Sequence, residues 1–103
     1  MSGKYSRRKG YRIEHELEKL LRKNGLDAQR IPLSGSAGGY FAGDLIVEGK
    51  KAEVKGRKDG FKEIYKWLEN KDFLFIKADR KEYLVVMRLS DFISLIGRDK
   101  NHG

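Results

Sequence analysis

The chain has no cysteine, one proline (Pro32), one tryptophan (Trp67) and two histidines among its 103 residues. The missing cysteine excludes disulfides and thiolate metal sites, and it fits a reducing compartment. His15 and His102 stand too far apart in sequence to suggest a zinc site. His102 belongs to the C-terminal tail, and His15 lies off the apolar stripe of its helix and is read as exposed. Long apolar runs are missing too. No segment approaches the ~20 residues of a membrane span. The basic N-terminus has no apolar stretch behind it, so no signal peptide is expected and a cytoplasmic location is. Acidic residues are outnumbered, 15 Asp and Glu against 23 Lys and Arg, which leaves a net charge of +8. Such an excess on a small protein favours a polyanionic partner, most often nucleic acid. The plain alternative is solubility, but the charge is placed unevenly, in clusters. Hydrophobic residues at 39% suffice for a core, and charged residues at 37% imply a heavily charged surface. The length suits a single domain, 1–103, with residues 1–6 and 97–103 expected to be flexible.

Periodicity places the elements. Residues 1–9 are polar and basic and read as a mobile arm. A helix is expected from Arg7 or Gly10 to Asn24, because Ile13, Leu17, Leu20, Leu21 and Asn24 follow the 3.6-residue period and Gly25 is a good stop. Residues 27–33 read as a short strand that Pro32 demotes towards an edge or an end. The run S-G-S-A-G-G at 34–39 reads as a flexible loop, and no G-K-[S/T] follows it, so it is not a nucleotide-binding P-loop. Phe41 to Val47 and Ala52 to Val54 flank the Glu48-Gly49 turn signal of a hairpin. After the basic turn G-R-K-D-G at 56–60, a second helix carries Phe61, Ile64, Tyr65 and Leu68 on one stripe and ends near Asn70. Trp67 sits off that stripe, as core or as an anchor of a subunit interface. Phe73 to Ile76 and Tyr83 to Met87 read as strands, and Ser90 is the expected N-cap of a last helix that frays from Gly97. The order is α-β-β-β-α-β-β-α. It describes an α/β fold with a mixed β-sheet of about five strands flanked by helices.

The chemistry is concentrated in G-D-L-I-V-E-G-K-K-A-E-V-K, residues 43–55. Alternation along a strand puts Glu53 and Lys55 on one face and Ala52 and Val54 on the other. A two-residue loop at Glu48-Gly49 pairs 47 with 50 and therefore 44 with 53, so Asp44 stands opposite Glu53. A three-residue loop breaks that parity unless a bulge restores it. Two carboxylates and an ammonium converging on one spot suit a divalent cation: the carboxylates are hard oxygen ligands, and the lysine can offset developing negative charge or orient a water. The bland reading is a solvated hairpin face of alternating charges. Glu14 is a candidate fourth member, since on a helical wheel it lies beside Leu17 and Leu21 at the edge of the apolar stripe. Read blandly, it is a surface glutamate near Arg22. Glu16 flanks the other border, and Glu18 is read as exposed.

With these residues in view, the chain resembles the PD-(D/E)xK nuclease superfamily and, within it, the archaeal-type Holliday junction resolvases, which also occur in phages. R-R-K-G-Y-R-I-E at the start resembles that family's basic opening, which puts its helix glutamate on Glu14. R-I-P-L-S-G-S at 30–36 resembles the segment carrying its functional serine, best matched by Ser34 and next by Ser36. Asp44 matches the metal-binding aspartate, and Glu53-Val54-Lys55 matches E-x-K. Gly43 stands where the family name expects proline. G-R-K-D at 56–59 resembles a basic turn at the same place, and beyond residue 60 only the α-β pattern is shared.

The resemblance implies an α-β-β-β-α-β core, Mg²⁺-dependent phosphodiester hydrolysis (with Mn²⁺ as a substitute) and a homodimer acting on four-way DNA junctions in recombination and repair. Asp44, Glu53, the Val54 carbonyl and Glu14 would hold the metal, Lys55 would position the water, and Ser34 would touch a phosphate. Arg7, Arg8, Lys9, Arg30, Ser36, Arg57 and Lys58 are the expected DNA contacts, because lysine and arginine beside an acidic pocket hold the backbone while the carboxylates hold metal. Lys50 and Lys51 add a third basic cluster at the hairpin turn. Two other readings stay open: a nicking or repair nuclease of the same superfamily, and a non-catalytic basic module whose acidic residues are structural. If the chain is of phage origin, its compartment is the host cytoplasm.

Overall fold

The computed structural model describes residues 3–31 and 44–102, with side chains at 12–31 and 45–100. The chain forms two compact units, Met1–Gly56 and Arg57–Gly103.

The first unit begins with helix α1, Gly3–Lys23. It starts earlier than the basic N-terminus suggested: Gly3 to Lys9 are helical rather than an irregular arm. Lysine and arginine have good helix propensity, so a basic stretch extends a helix already nucleated downstream. The helix stops in a Schellman turn. Gly25 has φ 86°, its N–H donates to the Arg22 carbonyl at 3.0 Å, and the Leu26 N–H donates to the Leu21 carbonyl at 3.0 Å. Leu21 and Leu26, the hydrophobic pair of that motif, are both buried.

Strands β1 (Ala28–Arg30), β2 (Asp44–Val47) and β3 (Lys50–Glu53) form an antiparallel sheet in that order. The first residues of the expected hairpin strand, 41–43, lie outside the described residues. Helix α1 packs against β1 and β2. Leu45, Val47 and Ala28 are buried with Leu21 and Leu26, and each large aliphatic side chain so buried contributes about 1.5–3 kcal/mol. The turn between β2 and β3 has two residues, both left-handed, Glu48 at φ 51° and Gly49 at φ 79°. This type I′ geometry matches the strand twist. Glycine adopts it freely, whereas Glu48 is held there by two bonds to Asp27. Its N–H donates to the Asp27 carbonyl at 2.8 Å, and its Oε2 accepts the Asp27 N–H at 2.6 Å.

The second unit comprises α2 (Lys62–Leu68), the antiparallel hairpin of β4 (Phe73–Ile76) and β5 (Leu84–Met87), and α3 (Leu89–His102). Helix α2 packs against β4. A Cβ on Gly60 would lie 2.7 Å from Arg57 Cβ, so the basic turn needs glycine there. Arg88 ties the end of α2 to β5 by donating to the Leu68 and Lys71 carbonyls at 3.0 and 2.7 Å.

The element order is therefore the expected one, but the sheet differs. The described strands pair only with neighbours in sequence, and they form two small antiparallel sheets instead of one mixed sheet. The short connections between β2 and β3 and between β4 and β5 permit only antiparallel pairing. Other details of the second unit also depart from expectation. The Arg88 carbonyl accepts from the Asp91 and Phe92 N–H groups at 3.0 and 3.1 Å, so α3 starts ahead of Ser90. It runs past Gly97 to His102. The stripe of α2 buries only Leu68, and Trp67 is 54% exposed, which rules out the core reading.

Candidate active site

The hairpin register is the one that parity demands. Asp44 pairs with Glu53, Leu45 with Ala52, Ile46 with Lys51 and Val47 with Lys50. Exposure then alternates along β3 and beyond it: Ala52 and Val54 are half-buried, and Lys51, Glu53 and Lys55 are exposed. Cross-strand partners share a face, and β1 pairs Arg30 with Leu45. Arg30, Leu45 and Ala52 therefore face helix α1. Glu53, Lys51 and Lys55 occupy the opposite face, and Asp44 joins them by its register with Glu53.

On that outer face Lys55 Nζ lies 3.0 Å from Glu53 Oε2, and both side chains are more than half exposed. An exposed pair of this kind adds little stability. The sequence places Lys51 in a basic cluster at the hairpin turn. It stands two residues before Glu53 on the same face and lines with it, Ala52 and Ile31 an open recess of about 240 Å³. The signal was available in the K-x-E-x-K spacing, which brackets one carboxylate with two ammonium groups.

On the inner face, Glu14 is 4% exposed and is the buried charged residue of the described core. Its Oε1 lies 3.7 Å from Arg30 Nε. This excludes the reading of Glu14 as a surface glutamate. The helix presents Glu14, Leu17, Glu18 and Leu21 inward and leaves Leu20 exposed, so the stripe is turned towards Glu14 relative to the one drawn from the leucines. Glu18 is mostly buried, not solvent-exposed. Its Oε2 accepts the Arg30 N–H at 3.3 Å and lies 3.3 Å from an Arg22 guanidinium nitrogen, while its Oε1 is 3.8 Å from His15 Nδ1. Arg22 Nε also donates to the Ala28 carbonyl at 2.7 Å. Two helix carboxylates thus anchor strand β1, one through the Arg30 side chain and one through its backbone. His15 is exposed, as expected.

The remaining site residues are placed only in part. Arg7, Arg8 and Lys9 lie in α1. Arg57 and Lys58 are exposed in the turn that opens the second unit. Ser34 and Ser36 lie outside the described residues, as does the side chain of Asp44. Among the described residues no three His, Cys, Asp or Glu side chains gather as a metal cluster. The backbone nevertheless places two carboxylate residues directly across a ladder, where cross-strand Cα atoms are about 4.5–5.5 Å apart. Such a pair, with the Val54 carbonyl one residue on, is a hard-oxygen donor set that fits Mg²⁺ in kind. No helix among the described residues is long and apolar enough to cross a membrane.

Compared with known protein families, residues 5–92 match the family model described as archaeal Holliday junction resolvase (hjc). No curated protein matches the chain, and no solved structure does.

Proposed function

The chain belongs to the archaeal Holliday junction resolvase family, a family of nucleases that act on branched DNA, and from that premise we propose that it is a metal-dependent endonuclease whose chemistry is centred on the outer face of the β2–β3 hairpin. The observation that carries this reading is the cross-strand pairing of Asp44 with Glu53, with Lys55 Nζ held 3.0 Å from the Glu53 carboxylate. Asp44, Glu53 and the Val54 carbonyl would hold Mg²⁺, or Mn²⁺ in its place. When bound, the ion supplies Lewis acidity and lowers the pKa of a water molecule. The protein's own groups do the rest. The Lys55 ammonium offsets negative charge that builds on the phosphate oxygens, and it orients the attacking water beside Glu53. Lys51, on the same face, adds a phosphate contact. Glu14, buried on the helix side against Arg30, positions β1. Ser34 would touch a phosphate.

Arg7, Arg8, Lys9, Arg30, Ser36, Arg57 and Lys58 are the proposed backbone contacts. The net charge of +8 supports a binding mode dominated by phosphates. Contacts of that type cannot read bases, so selectivity must come from DNA shape.

One chain carries one Asp44–Glu53–Lys55 set, so paired cuts on two strands need two subunits. A two-fold dimer matches the dyad of a four-way junction. The second unit offers an apolar surface for it: Phe73, Phe75 and Val85 share one face of the β4–β5 hairpin, and Phe75 is 63% exposed. Exposed aromatic clusters of this kind mark association surfaces. The family match runs through both compact units, which supports reading the chain as one nuclease domain. It also supports a role in recombination and repair in the cytoplasm.

The test is incubation of the protein with a synthetic four-way junction and with a linear duplex of the same sequence, with and without Mg²⁺. The reading expects paired cuts in the junction only when Mg²⁺ is present. Equal cleavage of the duplex would favour a general nuclease, and binding without cleavage in any metal would favour a non-catalytic module.

A further inference from the structure

The basic clusters discussed so far leave out the connection between β4 and β5, residues 77–83. Its sequence, K-A-D-R-K-E-Y, carries three cations and two carboxylates. At this end of the hairpin lies an open recess of about 760 Å³, lined by Ile76, Ala78 and Leu84 on the apolar side and by Lys77, Arg80, Lys81 and Glu82 on the polar side. Ile76 and Leu84 are cross-strand partners, so they form one apolar floor on the face opposite Phe75. Leu84 is 57% exposed. An exposed leucine at a strand end, ringed by charged residues, has a surface to offer that folding of the hairpin did not use. Arg80 has φ 63°, a left-handed conformation that is unfavourable for a residue with a side chain. In the same connection Tyr83 is 66% exposed, and Lys77 Nζ lies 5.9 Å from its ring centroid.

We propose that this recess binds an unpaired nucleotide of a DNA strand, with the base against Leu84 and Ile76 and the flanking phosphates on Arg80 and Lys81. The chemistry of the lining selects this class. A duplex backbone needs cations but no apolar floor. A base swung out of its stack needs both, an apolar or aromatic platform and a neighbouring cation for its phosphate. The volume lies within the range of small-ligand sites. Glu82 on the rim, with Asp79 in the same connection, disfavours free multivalent anions and a closely tracked phosphate chain, and so limits the site to a short segment. The proposal deepens the resolvase reading and rests on it: a branch point is where a DNA substrate exposes unstacked bases, and the recess would engage them.

The experiment measures anisotropy of labelled oligothymidine, of a blunt duplex and of a four-way junction across a salt series, with the full chain. In Arg80→Ala/Lys81→Ala, affinity for oligothymidine should fall about tenfold or more. The slope of log K against log salt should fall by about 1.4, from two phosphates at about 0.7 each. Leu84→Ser should weaken oligothymidine about fivefold or more with the slope unchanged, since it removes an apolar contact and no charge; at an exposed position the fold should tolerate it. Both variants should bind the blunt duplex within about twofold of wild type. Unchanged oligothymidine binding in both variants, with wild type still cleaving the junction, overturns this site and leaves the resolvase reading intact. An equal loss for duplex and single strand overturns the assignment to an unpaired nucleotide. Failure of the wild-type protein to bind any of the three overturns both.

Discussion

Glu14 and Arg30 meet at 3.7 Å between helix α1 and strand β1, with the carboxylate buried and the guanidinium one-third exposed. Breaking a pair of this kind leaves a buried charge poorly compensated. Arg30→Met should therefore lower the free energy of unfolding by about 1–3 kcal/mol, read from urea denaturation. The figure is held down by solvent access to Arg30. A loss of DNA affinity with no change in stability would make Arg30 a phosphate contact first and a structural residue second.

Asp44→Asn and Glu53→Gln each remove an anionic ligand and almost no volume. Mg²⁺-dependent cleavage should disappear in both, while junction binding stays within a few-fold of wild type. Lys55→Ala should lose about a hundredfold in rate, the usual effect of removing one transition-state donor. Single-turnover cleavage at saturating protein reads these effects separately from binding. A wild-type rate in either carboxylate variant would remove the metal site from the hairpin.

Neutralising Arg7, Arg8 and Lys9 together should weaken every form of DNA and flatten the salt dependence of binding. Three phosphate contacts at about 0.9 each predict a slope smaller by up to about three. An unaltered slope places the DNA elsewhere on the surface.

Phe75→Glu puts a charge into the exposed aromatic face of the β4–β5 hairpin, where the Phe73 and Phe75 rings lie 6.5 Å apart. If that face joins two subunits, sedimentation velocity should show a dimer for the wild type and a monomer for the variant, because a buried unpaired charge is costly. The monomer should keep its secondary structure and lose paired cleavage. A wild-type protein that remains monomeric in the presence of junction would end the dimer proposal.

Replacing Gly49, at φ 79° with nothing crowding its Cβ position, separates backbone strain from packing. Gly49→Ala should cost about 1 kcal/mol through its left-handed conformation alone. A larger loss, or a change in the hydrogen-exchange pattern of β2 and β3, would point to a slipped register and a displaced Glu53.

Local geometry accounts for the parts nearest the chemistry. A Glu-Gly turn between two short apolar runs offers a two-residue loop, with which strand alternation places Asp44 across from Glu53; a three-residue loop would break that parity, and the observed register decides for the two-residue one. The order of the eight elements follows from the same short-range patterns. What needed tertiary structure depends on partners far away in sequence. The leucines of α1 describe a stripe centred near Leu17 and Leu20, but Arg30, coming from another element, draws Glu14 and Glu18 inward and leaves Leu20 outside. A carboxylate on a wheel has no sign that its counter-charge will arrive from a strand twelve to sixteen residues on. The division of five strands into two sheets was hidden for the same reason: a strand's pattern states which face is apolar, and only the pairing of its edges decides which neighbour completes it.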